Sequence, residues 1–391
     1  MNDSEIITGT VQTDDGTEKK SRLKKVIASC PVPCRVFFVL DIISGIMLLL
    51  FSLIPSFSDF YNRYPGAFVR MILAKATGWF PFSLAECMIM LMPAALVLFI
   101  VVTVRTYKKT VYDLLRLLFI LLSILSWFFI SFVFGFAAGY RGSTLYSAAK
   151  LDLDKKNVSA AELRDTALII RDELDALTDK IVFSGSGSSV TELSFSEINE
   201  CLNDAYAEAA EKYDFLPSFT SKVKQIVLSE PMTYTHIAGV YSYFTGESNV
   251  NVNFPDYDTP YTAAHEMAHQ RGVAPEDEAN FVAFLVCSMC DEPYVRYSGY
   301  MNLFEYVLNA LYKADKNMYN EVISSTDKRL TGEMRAYNAF FAKYENNVAA
   351  KVSSKVNDTY LKSQGQQSGE KSYGLVVDLA VAYYKSESNT G

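Results

Sequence analysis

Three long apolar runs near the N-terminus constrain this chain more than any other feature. They extend from Val36 to Pro55, from Phe82 to Val104 and from Leu114 to Ala138. A helix of about 20 apolar residues, rising about 1.5 Å per residue, covers the ~30 Å hydrocarbon core of a bilayer. Core helices of soluble proteins rarely run so far without a polar face. The expectation is therefore three transmembrane helices at about 36–55, 82–104 and 114–138, within an anchor of residues 36–141. A basic tail of residues 1–35 precedes the anchor and a domain of residues 142–391 follows it.

The placement of basic residues orients the spans. Lys19, Lys20, Arg22, Lys24, Lys25 and Arg35 precede the first span, and Arg105, Lys108, Lys109 and Arg116 cluster between the second and third. The longer segment between the first and second spans holds only Arg63, Arg70 and Lys75. Positive charge is retained on the cytoplasmic side, so the expected location is a cell membrane, multi-pass, with a cytoplasmic N-terminus and an extracytoplasmic C-terminal domain. A cleaved leader is not expected, because the basic stretch before the first span is too long and no small-x-small site follows that span. Asp41 and Glu86 fall within about two turns of a span end, where a carboxylate reaches the headgroups, and Pro93 marks a kink position in the second span.

Charge divides along the same line. The net charge of −8 is the sum of +5 over residues 1–141 and −13 over residues 142–391. An acidic domain excludes nucleic acid as a main partner, since phosphate backbones reward clustered Lys and Arg. The expected partners are membrane lipid and a peptide or protein substrate. Cys287 and Cys290 form a CxxC in an apolar helical stretch with no second such pair, which reads as buried thiols rather than a zinc ribbon.

Within the domain, Ser159-x-x-Glu162 and Ser194-x-x-Glu197 are capping boxes that open helices. Ser184 to Ser189 reads as a flexible loop. Further helices are expected at 260–271, 275–290, 298–314, 316–325, 331–346 and 374–386, with a small sheet between 222 and 254. The fold class is thus a three-helix transmembrane anchor followed by a mainly α (α+β) domain.

The chain has three histidines, and two of them stand in His265-Glu266-Met267-Ala268-His269. On a helix, positions i and i+4 share a face, so both imidazoles of HExxH can reach one zinc ion while Glu266 sits beside it as a general base. Thr259 as N-cap, Pro260 in the first turn and Gly272 at the end support a helix here. Glu276, at the start of the next helix, is the preferred third ligand, with Glu278 as its competitor. Asn280, one turn on, would hydrogen-bond a ligand and orient it. Upstream, Val250, Val252 and Phe254 alternate with Asn249, Asn251 and Asn253, the period of a strand. Read as an edge strand, it would present Asn249 and Asn251 to an extended peptide. His236, Arg296, Tyr297 and Tyr300 are candidate donors to a developing oxyanion.

These residues resemble the zinc-dependent metallopeptidases of the gluzincin type, in which a HExxH helix is followed by a glutamate ligand and flanked by an edge strand. Three runs together look like an uncharacterised bacterial family of membrane-anchored HExxH proteins known as a domain of unknown function. They are Thr245 to Asn253, His265 to Gly272 and Glu276 to Phe281; Arg296 to Tyr300 and Ser372 to Gly374 also match. Two features depart from the gluzincin pattern: only six residues separate His269 from Glu276, and Asn280 stands where an aspartate is usual. The short spacing resembles that of metzincins, whose third histidine would align with Pro275. The resemblance implies a zincin-like domain carrying one zinc ion and hydrolysing peptide bonds. The rival expectation is a non-catalytic, zinc-containing binding or sensory module that signals through the spans.

Overall fold

The computed structural model describes residues 15–107, 110–155, 157–345, 347–369 and 374–390. Lys108, Lys109 and the Ser372-Tyr373 part of the C-terminal motif lie outside them. The N-terminal helices are α1 (Asp15–Ser29), α2 (Val32–Leu53), α3 (Pro55–Tyr61), α4 (Ala67–Thr77), α5 (Leu84–Tyr107) and α6 (Val111–Gly135), with a π-helical turn at Asn62–Gly66 joining α3 to α4. Then come α7 (Ala160–Thr178), the strands β1 (Val182–Phe183) and β2 (Ser189–Val190), α8 (Phe195–Lys212), β3 (Lys224–Gln225), α9 (Ser229–Thr233), β4 (Gly239–Ser242) and β5 (Glu247–Val250). The chain closes with α10 (Asp258–Gln270), α11 (Glu276–Met289), α12 (Pro293–Ala314), α13 (Lys316–Ser325), α14 (Lys328–Phe341), α15 (Val348–Ser363) and α16 (Val376–Thr390).

Two compact units emerge, and they do not divide at 141/142. One comprises residues up to 46 together with 90–130; the other comprises 47–89 and 131–391. The segment between the first two apolar helices therefore folds with the C-terminal domain, although the sequence division assigns it to the anchor. In the first unit, Phe38 meets Phe119 at 6.0 Å between ring centres, and the Ser126 hydroxyl donates to Asp41 at 2.5 Å. Asp41 thus has an intramolecular partner. The three apolar helices α2, α5 and α6 are long and apolar enough to cross a membrane. Protein covers almost none of their apolar side chains, as expected if lipid is their solvent.

In the second unit, both capping boxes form at the serines read from the sequence, opening α7 and α8. α7, α8, α10, α11, α12 and α16 bury one apolar core, with Ile170, Leu202, Phe284, Phe304 and Leu379 all fully buried. The Ser184–Ser189 loop is the turn of a hairpin in which β1 pairs antiparallel with β2. The second sheet has the order β3-β5-β4, with β5 parallel to β3 and antiparallel to β4. The strand carrying Asn249 is therefore central rather than an edge, its four residues are all buried, and it ends before Asn251 and Asn253. The HExxH helix α10 starts at Asp258 with no side-chain cap, so Thr259 is not its N-cap. α12 starts at Pro293 rather than near 298, and α15 was not expected from the sequence at all.

Glu86 also differs from its sequence reading. Its carboxylate accepts the backbone N–H groups of Val227 and Leu228 at 3.0 and 2.7 Å, so it fastens the turn after β3 to the start of α5. Glu247 complements it by accepting the first N–H groups of α5, from Leu84 and Ala85, at 3.0 and 2.9 Å. An acidic side chain at a helix N-terminus satisfies donors that the helix itself leaves open.

Candidate metal centre

The site is built on α10 and on the turn that leads to α11. Gly272 ends α10 with φ +95, a conformation that costs glycine little, and the chain turns back after it. Each residue after His269 pins that end. The Gln270 amide donates to the Gly246 carbonyl at 2.7 Å, tying the helix to the β4–β5 turn. Arg271 stacks on Tyr206, 3.9 Å from the ring centre, and donates to the Phe219 carbonyl at 2.7 Å. From α4, the buried Arg70 guanidinium reaches the Arg271 carbonyl at 3.3 Å, Gly135 at 3.1 Å, and Asn62 at 2.7 Å (carbonyl) and 3.0 Å (side chain). Asn62 in turn donates to the Gly272 carbonyl at 2.9 Å. Any side chain at Gly272 would collide with Arg70 and Asn62, each 2.4 Å from the Cβ position.

This turn delivers Glu276 to the histidines. Its Oε2 lies 3.2 Å from His265 Nε2 and 3.5 Å from His269 Nε2, and all three side chains are buried. In a tetrahedral site with bonds of about 2.0–2.1 Å, neighbouring ligand atoms stand about 3.4 Å apart. The two histidine–glutamate distances fit that spacing, and the three donor atoms all lie within 4.8 Å of one another, so the set could hold a metal ion. Two imidazoles and one carboxylate would leave a fourth tetrahedral position for water. His269 Nδ1 lies 2.7 Å from the Val273 carbonyl, which selects the tautomer that leaves Nε2 free to bind metal.

The competitor Glu278 has other work. It accepts the Leu145 N–H at 3.0 Å and pairs with Lys150 at 3.4 Å. Asn280 lies beside His265, close enough to favour its charged form. Even so, His265 Nδ1 and Asn280 Nδ2 are both buried without a partner at hydrogen-bond geometry. Asn249 and Asn251, expected to meet substrate, instead serve the backbone, each only 1% exposed. Asn249 donates to the Val240 and Glu247 carbonyls at 3.1 Å, and Asn251 to Ile237 at 3.1 Å. The outer strand beside the cleft is β4. Of the oxyanion candidates, Tyr297 donates to Glu333 at 3.0 Å, Arg296 faces Glu173 at 4.0 Å and Tyr300 packs on Phe284. His236 alone lines a cavity that reaches His265.

Glu266 is buried, and Oε2 has no hydrogen-bond partner. Burial pushes its pKa up to about 8, against the opposing charge of His269. Gly239 of β4 makes room for it, since a Cβ there would stand 2.5 Å from Glu266 Oε1. Burial holds His265 below its ordinary range. It would do the same to His269, but the Glu276 carboxylate raises that ring to about 9. Glu276 is itself raised by burial, and the two histidines more than reverse this, holding it well below the carboxylate range.

Two cavities of about 510 and 500 Å³ meet at His265 and Glu266. One is aromatic, with Phe136, Tyr140, Tyr241 and Tyr360 in its wall; the other is polar, with Asp258, Asn302 and Tyr306. α15 contributes Ser353 and Asn357 to both. Phe136, the residue after α6, packs edge-on against His269 at 5.7 Å between ring centres. Tyr360, Gly239, Phe136 and Asp258 are the site residues that sequence reasoning missed. A larger cavity of about 1070 Å³ beside Trp79 and Asn199 is remote from these groups and touches none of them.

The architecture is thus a set of apolar helices able to span a membrane, followed by a mainly helical domain with small sheets and a buried His-His-Glu cluster. The chain belongs to the family described as "Protein of unknown function (DUF3810)", whose model matches residues 61–381. No curated protein and no solved structure matches it.

Proposed function

We propose that this protein is a membrane-anchored zinc metallopeptidase whose zincin-like domain works on the outer side of the membrane. The observation that carries this reading is the convergence of His265, His269 and Glu276, whose donor atoms all lie within 4.8 Å of one another, with an unpartnered carboxylate oxygen on the neighbouring Glu266. His265 Nε2, His269 Nε2 and the Glu276 carboxylate would hold the ion. When bound, zinc supplies a Lewis acid for the scissile carbonyl and lowers the pKa of water to about 7. Glu266 would take a proton from the attacking water and return it to the leaving amine. A proton affinity near neutral pH suits a group that must do both. The outer side of β4 offers backbone groups for an extended peptide to pair with, and Tyr360 supplies a hydroxyl in the cleft wall. The outward orientation rests on the basic residues that flank the spans.

The test uses the full-length protein in detergent. It should bind about one zinc per chain and cleave members of a quenched peptide library, whereas Glu266→Gln should keep the zinc and lose cleavage. Hydrolysis retained by that variant removes Glu266 as the base. Zinc binding without cleavage of any peptide would favour the binding-module alternative.

A further inference from the structure

Among the features the proposed reaction leaves unused is a buried carboxylate two turns up the metal helix. Asp258, Thr262, His265 and His269 fall at i, i+4, i+7 and i+11 on α10 and so share one face. Asp258 stands about 10 Å along the axis from His265. It is only 6% exposed, it lines the polar cavity that opens at Glu266, and its Oδ2 has no hydrogen-bond partner. A helix N-terminus accounts for one negative charge here. It does not account for the second carboxyl beside it, Glu305 of α12, held by the Tyr257 hydroxyl at 3.0 Å. Burial raises both groups, Glu305 to about 7, and the charge of Glu305 raises Asp258 further. Among the described residues, no Lys or Arg lines this cavity to offset them. Glu333, the next carboxylate in the cluster, is by contrast satisfied by the Ser189 N–H and the Tyr297 hydroxyl.

We propose that this cavity is a subsite for a cationic substrate side chain, the ammonium of Lys or the guanidinium of Arg next to the scissile bond, with Asp258 as its recognition carboxylate and Glu305 as the charge behind it. Asn302 hydrogen-bonds the Asp258 side chain and leaves Oδ2 open; a buried carboxylate without a counter-charge is costly, and a cation brought in by the substrate removes that cost. Asp258 and Glu266 line the same cavity, which gives a Lys or Arg side chain next to a bond held at Glu266 a continuous path toward the start of α10. The cavity on the other side of Glu266, walled by Phe136, Tyr140, Tyr241 and Tyr360, is aromatic, so the two sides of the bond would be read by different chemistry. The inference rests on the peptidase reading, and its test separates the two.

Binding of n-butylguanidine and of its neutral counterpart n-butylurea is measured by calorimetry on full-length Glu266→Gln protein in detergent. The guanidine should bind at least tenfold more tightly. Adding Asp258→Asn or Glu305→Gln, with folding checked by melting temperature, should remove that preference. On peptides differing only in Lys against norleucine beside the cleaved bond, either substitution in the otherwise native chain should lower the ratio of kcat/KM values about 100-fold. Equal binding of the two probes, or no binding of either, overturns the subsite even if peptides are cleaved. Guanidine preference without cleavage of any peptide upholds the subsite and sinks the peptidase reading.

Discussion

Arg70→Met replaces a buried guanidinium with an apolar chain of similar length, and its effect can be worked from the contacts. Arg70 is 1% exposed and no carboxylate faces it; all its acceptors are neutral oxygens, of Asn62, Gly135 and Arg271. Three of its four hydrogen bonds are short enough to count fully, and bonds to a charged group contribute about 1.5–3 kcal/mol each. Together they give about 5–9 kcal/mol. Burial opposes this, lowering the pKa of Arg70 from 12.5 to about 10, equivalent to roughly 3 kcal/mol of desolvation that its surroundings do not offset. The net loss on substitution is therefore about 2–6 kcal/mol. For a unit of this size that lowers the melting temperature by about 4–12 °C. Because the bonded carbonyls lie just beyond His269, zinc should also be held less tightly. Arg70→Lys should fall between, since an ammonium cannot fork to three directions from one plane. The assay is thermal unfolding in detergent, with zinc titrated against a competing chelator. A methionine variant that melts within about 1 °C of the parent would refute this account of Arg70.

Two further predictions concern the cleft. Gly239→Ala drives a Cβ to 2.5 Å from Glu266 Oε1 and 2.8 Å from Thr262 Cγ2, so the carboxylate must swing away. Its kcat should fall about 100-fold with zinc content unchanged, and full turnover would show that Glu266 does not need its place against β4. The pH prediction follows from His269. Its folded pKa of about 9 exceeds the usual 6.5, so in the chelated protein its stabilising contribution is complete below about 6.5 and lost as pH rises through about 9. Zinc uptake at pH 7 should therefore release about one proton, and zinc affinity should rise about tenfold per pH unit up to about 9. Calorimetry in two buffers of different ionisation heat reads this, and uptake without proton release would contradict it.

What the sequence made legible was local. Apolar runs, capping boxes and HExxH each depend on residues a few positions apart, and the three apolar helices, α7, α8, α10 and α11 stand close to their expected places. What it hid depended on pairing between distant segments. Alternation along 249–254 signals a strand equally well at a sheet's centre or at its edge; only β3 and β4, recruited from either side, make β5 central. α15 buries only Leu361 and leaves Val348, Val352 and Val356 exposed, so its place in the fold is set by the cleft it covers and not by a core-facing stripe. Gly239 carries no side chain to announce its contact with Glu266. Glu86 and Glu247 read as ordinary acids until α5 and the β3 turn are brought together.

Phe136 couples one imidazole of the cluster to the segment that leaves α6. It follows directly on that helix, it belongs to the same compact unit as His269, and its ring meets the imidazole edge-on. A change in the backbone path just after Gly135 is therefore transmitted to His269 through a single ring contact, with no loop between to absorb it.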